Sequence, residues 1–224
     1  MRNPFDTEER RQFRETVRRF MATEIEPNVD TWDEAGSYPH EINEKICALG
    51  IFGFAIPEEY GGHGMDDQFM RKDAAVEMGY VAAGGLMASV GSRSIMLKPL
   101  TELANDDIKQ RALPELLSGR KGGALGITEP GGGSDVANMK TTAKRDGDHW
   151  VLNGQKMFIT GGMQASYFVI GARTGGPGLG GISLFFVEAD MDGFSRTPIE
   201  RKWAGGRQTQ PRSISIIAAS QPPI

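Results

Sequence analysis

Cysteine, histidine and basic excess are all scarce in this chain. Its 224 residues include one cysteine, Cys47, and three histidines. A single cysteine excludes an intramolecular disulfide and fits a reducing compartment. A cysteine-based zinc site is excluded too, because a structural zinc takes four ligands, and no metal site is expected. No apolar run approaches the ~18 residues that mark a membrane span, and the N-terminus lacks the apolar core of a secretory signal. The formal net charge is -4 and the isoelectric point about 5.5. Nucleic acid is therefore not an expected partner, since phosphate binding needs a basic face. The opening run RRQFRETVRRF is Arg-rich, but residues 1–20 hold four acids against six arginines, and transit peptides are poor in acids. The expected setting is cytoplasmic, or the mitochondrial matrix for a eukaryotic source.

Glycine, in contrast, is abundant: 30 of 224 residues, near twice the usual ~7%. Such an excess points to tight turns and to close approach of backbone to a ligand. Along the chain, Phe13, Val17, Phe20 and Met21 fall on one helical face, as do Ile42, Ile46 and Leu49 before a stop at Gly50. Asp66 is a plausible cap for a third helix to about Tyr80. The small and sulfur-rich stretch Val81–Met96 reads as a closely packed helix, and Asp106 or Asp107 opens another that ends near Ser118-Gly119. After Gly122 the period changes. Asp146-Gly147 and Asn153-Gly154 sit between short β-prone runs and predict two hairpin turns. Further strands are expected at Tyr167–Ala172 and Ile182–Val187. The fold class is α+β: a helical domain over 1–120, then an antiparallel β-barrel or sandwich domain over 121–202.

Three glycine-rich segments are candidate sites. In ITEPGGGSD, 127–135, successive glycines let backbone N–H groups face an anion or ring acceptors, and Thr128 and Ser134 add hydroxyls. No Gly-Lys-Ser/Thr follows, so it is not a nucleotide P-loop, and a structural turn explains its glycines equally well. Gly176–Gly181 matches G-x-G-x-x-G in form, but a strand follows it where a dinucleotide site needs a helix; it reads as a strand connection. EEYGGHG offers Glu58, Glu59 and His63, for which surface and turn roles are favoured over acid–base work.

Together, PEEYGGHG at 57–64, LPELLSGRKGGALGITEPGGGSD at 113–135, LNGQKMFITGG at 152–162 and GISLFFVE at 181–188 resemble the acyl-CoA dehydrogenase family of flavoproteins. The resemblance covers residues 5–202. It implies a helical domain, a middle β domain and a C-terminal helical domain, with FAD against the β domain. It implies flavin contacts from Leu125, Gly126, Ile127 and Thr128, from Gly133 and Ser134, and from Phe158, Ile159 and Thr160, with Ser134 also bordering the acyl-CoA. Phe158 stands where many relatives have Trp, and Gly161 where many have Asn. The implied reaction is α,β-dehydrogenation of an acyl-CoA thioester: a glutamate takes the α-proton and the β-hydride goes to flavin N5. That glutamate would fall beyond residue 224, so no catalytic residue is assigned and this chain itself is expected to be inactive. A homo-oligomer, tetramer or dimer, is implied for the complete family member, and the electron acceptor stays open. The alternatives are a non-catalytic fragment with weak or no flavin or CoA binding, and a same-fold acyl-CoA oxidase or flavin monooxygenase.

Residues 203–224 leave the family pattern abruptly. One base restored after the Lys202 codon lets permitted codons read close to the expected family segment. The sequence therefore predicts a frameshifted tail, a β domain without its last strands, and no C-terminal helices to cover the flavin.

Overall fold

The computed structural model describes residues 5–199 with their side chains and residues 211–220 by their backbone. Helix α1 (Glu8–Phe20) starts where Thr7 accepts the Arg10 N–H, with acids in its first turn and arginines in its last, complementing the helix dipole. A π-helical turn, Met21–Ile25, continues it. Val17, Met21 and Ile25 are buried. Helices α2 (Val29–Ala35) and α3 (Glu41–Ala48) follow, and α3 adds Ile42 and Ile46 to the same cluster. The arginines of α1 have a structural use. Arg10 donates to Asp73 at 2.9 and 2.7 Å, and Arg18 donates to Glu77 at 2.8 Å through two nitrogens. Both acids are buried and lie on α4 (Gln68–Gly79).

One helix cap differs by one residue from the sequence reading, and the helix read as opening at Asp106 or Asp107 does open at Asp106. Helix α4 is capped by Asp67, whose Oδ1 accepts from the Phe69 and Met70 N–H groups, and not by Asp66. Helix α6 (Asp106–Leu117) is capped by Asn105 through the Ile108 N–H. In both cases the cap is the residue with extended backbone, which turns its side-chain oxygen back onto the first free amides. Between them, α5 (Gly84–Leu103) spans the small-residue stretch.

The sheet starts at Gly122 with its first strand. Its strands are β1 (Gly122–Gly126), β2 (Thr142–Asp146), β3 (His149–Met157), β4 (Ala165–Arg173), β5 (Ile182–Glu188), β6 (Phe194–Pro198) and β7 (Pro211–Ser220). Their order is β1-β4-β2-β3-β7-β6, with β5 on β4. The sheet is open and mixed, not wholly antiparallel: β1 runs parallel to β4, and β2 meets β4 in parallel at Thr142 and Arg173. The hairpin β2–β3 is inserted between β1 and β4, so β4 returns in the direction of β1. No break in the core marks the boundary. Met96 and Leu100 of α5, Leu113 and Leu116 of α6, and Tyr167, Val169 and Phe186 of the sheet form one buried cluster.

Only one of the two predicted turns exists. Gly147, at φ 59°, and Asp148 form the two-residue β2–β3 connection, with Asp146 opposite His149. Glycine at the first central position is what a type II′ turn requires. Asn153-Gly154 instead lies inside β3, where Asn153 pairs with Thr142. Its glycine answers a packing need: a Cβ on Gly154 would overlap Thr141 Oγ1. Gly154→Ala is therefore expected to lower stability by roughly 1–3 kcal/mol through overpacking. Thr141→Ala made with it should recover only part of the loss, because the Thr141 Cβ would still stand 2.6 Å from the added methyl; thermal unfolding of both variants is the check.

The tail also differs from expectation. Backbone 211–220 forms β7, which pairs with β3 from Trp150↔Ser220 to Met157↔Ser213 and with β6 on its other side. The alternation Ser213, Ile214, Ser215, Ile216 carries a strand signal that the sequence reading passed over. The predicted loss of closing strands therefore does not hold for this stretch. Residues 203–210 and 221–224 of the predicted tail lie outside the described residues.

Candidate functional site

Strand β1 delivers the chain into the glycine-rich loop. The Glu129 N–H donates to Gly132 O and the Gly132 N–H to Glu129 O, both at 3.0 Å, closing a tight turn over Pro130 and Gly131. Residues 130–135 are exposed. A Cβ on Gly133 would stand 3.1 Å from Thr128 Oγ1, whereas nothing lies within 4 Å of where one on Gly131 or Gly132 would be. The loop is thus packed on one side by Thr128 and open on the other, with backbone bare of side chains there.

The end of β3 meets this loop directly. The Met157 N–H donates to Thr128 O at 2.9 Å, and Lys156 Nζ donates to Ile127 O at 3.1 Å and to Glu129 Oε1 at 2.9 Å. Glu129 also accepts the Lys140 and Thr141 N–H groups at 2.6 and 2.8 Å. Burial alone would raise its pKa. The Lys156 ammonium and the two backbone donors outweigh that and lower it to about 2. For Lys156, which is fully buried, burial outweighs the attraction of Glu129 and holds the ammonium below its usual range.

Phe158 follows with φ 56° and a 57% exposed side chain. A bulky residue in the left-handed region is a genuine outlier, costing of order 1–3 kcal/mol, and such strain clusters at ligand sites. Ile159 is buried in the sheet cluster, and Gly161, at φ 72°, lies against Ser92 of α5. Arg196 Nη1 donates to the carbonyls of Gly162, Met163 and Ala165 at 3.0, 3.0 and 2.9 Å, bracing the turn behind Phe158.

The structure thus brings Ile127–Glu129 against Lys156–Met157, with Phe158 and the open loop exposed. Leu125 and Gly126 sit deeper. Leu125 packs on the interdomain cluster, and Gly126 lies under Ile170. The sequence reading missed Lys156, Glu129 as its partner, and Arg196. Lys156 had a readable signal: it stands four residues after Leu152 on the inward-facing phase of β3, where a lysine demands a buried acid.

The other glycine-rich segments do not join this site. The loop between β4 and β5 turns the Gly176 and Gly178 carbonyls onto Arg173 Nη1, and a 3₁₀ turn, Leu179–Gly181, followed by β5 stands where a dinucleotide site needs an α-helix. His63 bonds Gly50 O at 2.7 Å and packs on Phe54, while Glu58 and Glu59 lie exposed on a 3₁₀ turn. A cavity of about 480 Å³ between α4, α5 and residues 51–56 is lined by no residue of the glycine-rich loop.

Family models match both halves of the chain: acyl-CoA dehydrogenase, N-terminal domain, over residues 7–120, and acyl-CoA dehydrogenase, middle domain, over 124–212. Among curated proteins, the chain is 34% identical over 193 residues to the 3-(aryl)acrylate reductase of Clostridium sporogenes, covering 85% of this chain and 51% of that protein. It is 34% identical over 195 residues to the mitochondrial isovaleryl-CoA dehydrogenase of Pongo abelii, covering 84% and 46%. Among solved structures, a glutaryl-CoA dehydrogenase from Mycobacterium smegmatis in complex with FADH2 superposes with a TM-score of 0.86 at 29% identity, over 96% of this chain and 54% of that one. The chain spans about half the length of the curated relatives it matches.

Proposed function

Since the chain belongs to the acyl-CoA dehydrogenase family, we propose that it builds the flavin-facing surface of an enzyme that dehydrogenates acyl-CoA thioesters, with FAD as its cofactor. The observation that carries this reading is the joining of the open glycine-rich loop to the end of β3, beside a left-handed, exposed Phe158. The donor set fits a flavin. Thr128 offers a hydroxyl, the loop backbone at Gly131 and Gly132 is uncluttered, and Phe158 offers an aromatic face for stacking. When bound, FAD supplies the two-electron acceptor of the reaction. Thr128 and the loop amides would hold the polar edge of the flavin and would favour negative charge arriving there. Phe158 would stack on the ring, and Ser134, exposed at the loop's end, would border the acyl-CoA. Glu129 takes no part in moving a proton, because Lys156 and two backbone amides hold its carboxylate ionised.

Phe158 supplies the test. Phe158→Gly relieves the backbone strain, so the melting temperature should hold or rise. The stacking face is lost, so FAD affinity should fall by roughly fivefold or more, as a stacking contact of about 1 kcal/mol predicts. Titration of FAD by fluorescence quenching, alongside thermal unfolding, measures both. A variant that binds FAD as tightly as the unaltered chain would remove Phe158 from the site.

A further inference from the structure

The two halves of the flavin-facing surface are joined at one place, and the joint is charged. Three consecutive residues at the root of the loop are each tied to one of two consecutive residues at the end of β3: Ile127 O and Glu129 Oε1 to Lys156 Nζ, and Thr128 O to the Met157 N–H. Lys156 is 0% exposed and Glu129 8%. Taking an ammonium and a carboxylate out of water costs several kcal/mol each, and well-packed apolar residues of similar volume often stabilise a fold as well or better. Stability alone therefore does not account for a lysine here, whereas a fixed loop position does. Glu129 is anchored separately, by the Lys140 and Thr141 N–H groups on the segment entering β2. Lys156 alone bridges that anchor to Ile127 and so to the start of the loop.

We propose that Lys156 is a positioning residue for the cofactor. By clamping Ile127 and Glu129 it fixes the Thr128–Ser134 loop against Phe158–Thr160, so that both halves meet the flavin in register. The inference rests on the flavin reading and adds to it a residue buried beneath the binding surface. Without the clamp, the Met157 N–H is the one hydrogen bond among the described residues that still ties Ile127 and Thr128 to β3, and the loop loosens while the sheet below it stays folded.

The test uses the 224-residue chain. Lys156→Met keeps the apolar stem but leaves Glu129 charged and unpaired, so the double variant Glu129→Gln/Lys156→Met is made beside it. Leu113→Ala, in the interdomain core, serves as a control that destabilises without touching the joint. Backbone amide exchange across residues 127–134 is followed without FAD, and FAD affinity is titrated where all variants are folded. In the double variant, loop exchange should speed up and FAD affinity should fall, each by roughly tenfold or more, as expected for a lost bond to a charged donor. Leu113→Ala should show neither effect. Unchanged loop exchange in the double variant, or affinity losses that simply track melting temperature in all variants, would overturn the proposal. If the unaltered chain takes up no FAD, the flavin reading fails, and the exchange measurement still decides whether Lys156 clamps the loop.

Discussion

Expressed as its 224 residues and supplied with FAD, the chain is expected to dehydrogenate acyl-CoA thioesters at no measurable rate with an artificial electron acceptor. Removing a proton next to a thioester needs a base within hydrogen-bond reach, and a positioned base is worth roughly 10²–10⁴-fold. Neither the Glu58–Glu59 pair nor Glu129 meets that need. Glu58 and Glu59 are exposed on the turn Glu58–Tyr60, apart from the glycine-rich loop. Glu129 is at the site, but a group with a pKa of about 2 that already accepts from three donors is a poor proton acceptor at neutral pH. Dye reduction with straight and branched acyl-CoA substrates, on samples whose FAD content is measured in parallel, gives the answer. Turnover within tenfold of a full-length family member would mean that one of this chain's own carboxylates supplies the base. Glu58→Gln, Glu59→Gln and Glu129→Gln would then identify it.

Much of this arrangement was legible in the sequence because it rests on short-range rules. The helices of the first half follow apolar spacing, and Val17, Met21, Ile42 and Ile46 do share one cluster. The change of period at Gly122 marks the start of β1 within a residue. The glycine-rich loop and the NGQKMFIT segment stand out as motifs, and the structure joins them by a hydrogen bond. What the sequence concealed depends on partners far along the chain. Asn153-Gly154 carries a turn signature, yet its glycine is required by Thr141 across the strand pair. The parallel pairing of β1 with β4 depends on where the β2–β3 hairpin is inserted, which no local pattern reports. Gly161 is a plain glycine in the sequence, and only the structure shows that it takes positive φ. Lys156 looked like an ordinary strand lysine until its inward phase was set beside Glu129, 27 positions away.

That pair should leave its mark on acid stability. Glu129 titrates near 4.5 when free and at about 2 in the fold, so folding favours its ionised form. The stabilisation is fully present above pH ~4.5 and is lost as pH falls toward 2. At 1.36 kcal/mol per unit, the shift corresponds to about 3 kcal/mol at neutral pH. Glu129→Gln leaves one acceptor oxygen where the Lys140 and Thr141 N–H groups bond different carboxylate oxygens, and it gives Lys156 no counter-charge; breaking a buried pair costs a similar ~3–5 kcal/mol. At pH 7 the variant should melt about 6–12 °C below the unaltered chain, given ~2–4 °C per kcal/mol for a chain of this length. Asp73, held low by Arg10 and Arg14 against the opposing effect of burial, loses its own contribution at low pH in both proteins and so cancels from the comparison. The gap should therefore narrow steadily below pH ~4.5 as the Glu129 carboxylate takes up a proton. Melting curves from pH 7 down to 3 test this directly. A gap of constant size across that range would place the stabilisation in the shape of the side chain and not in its charge.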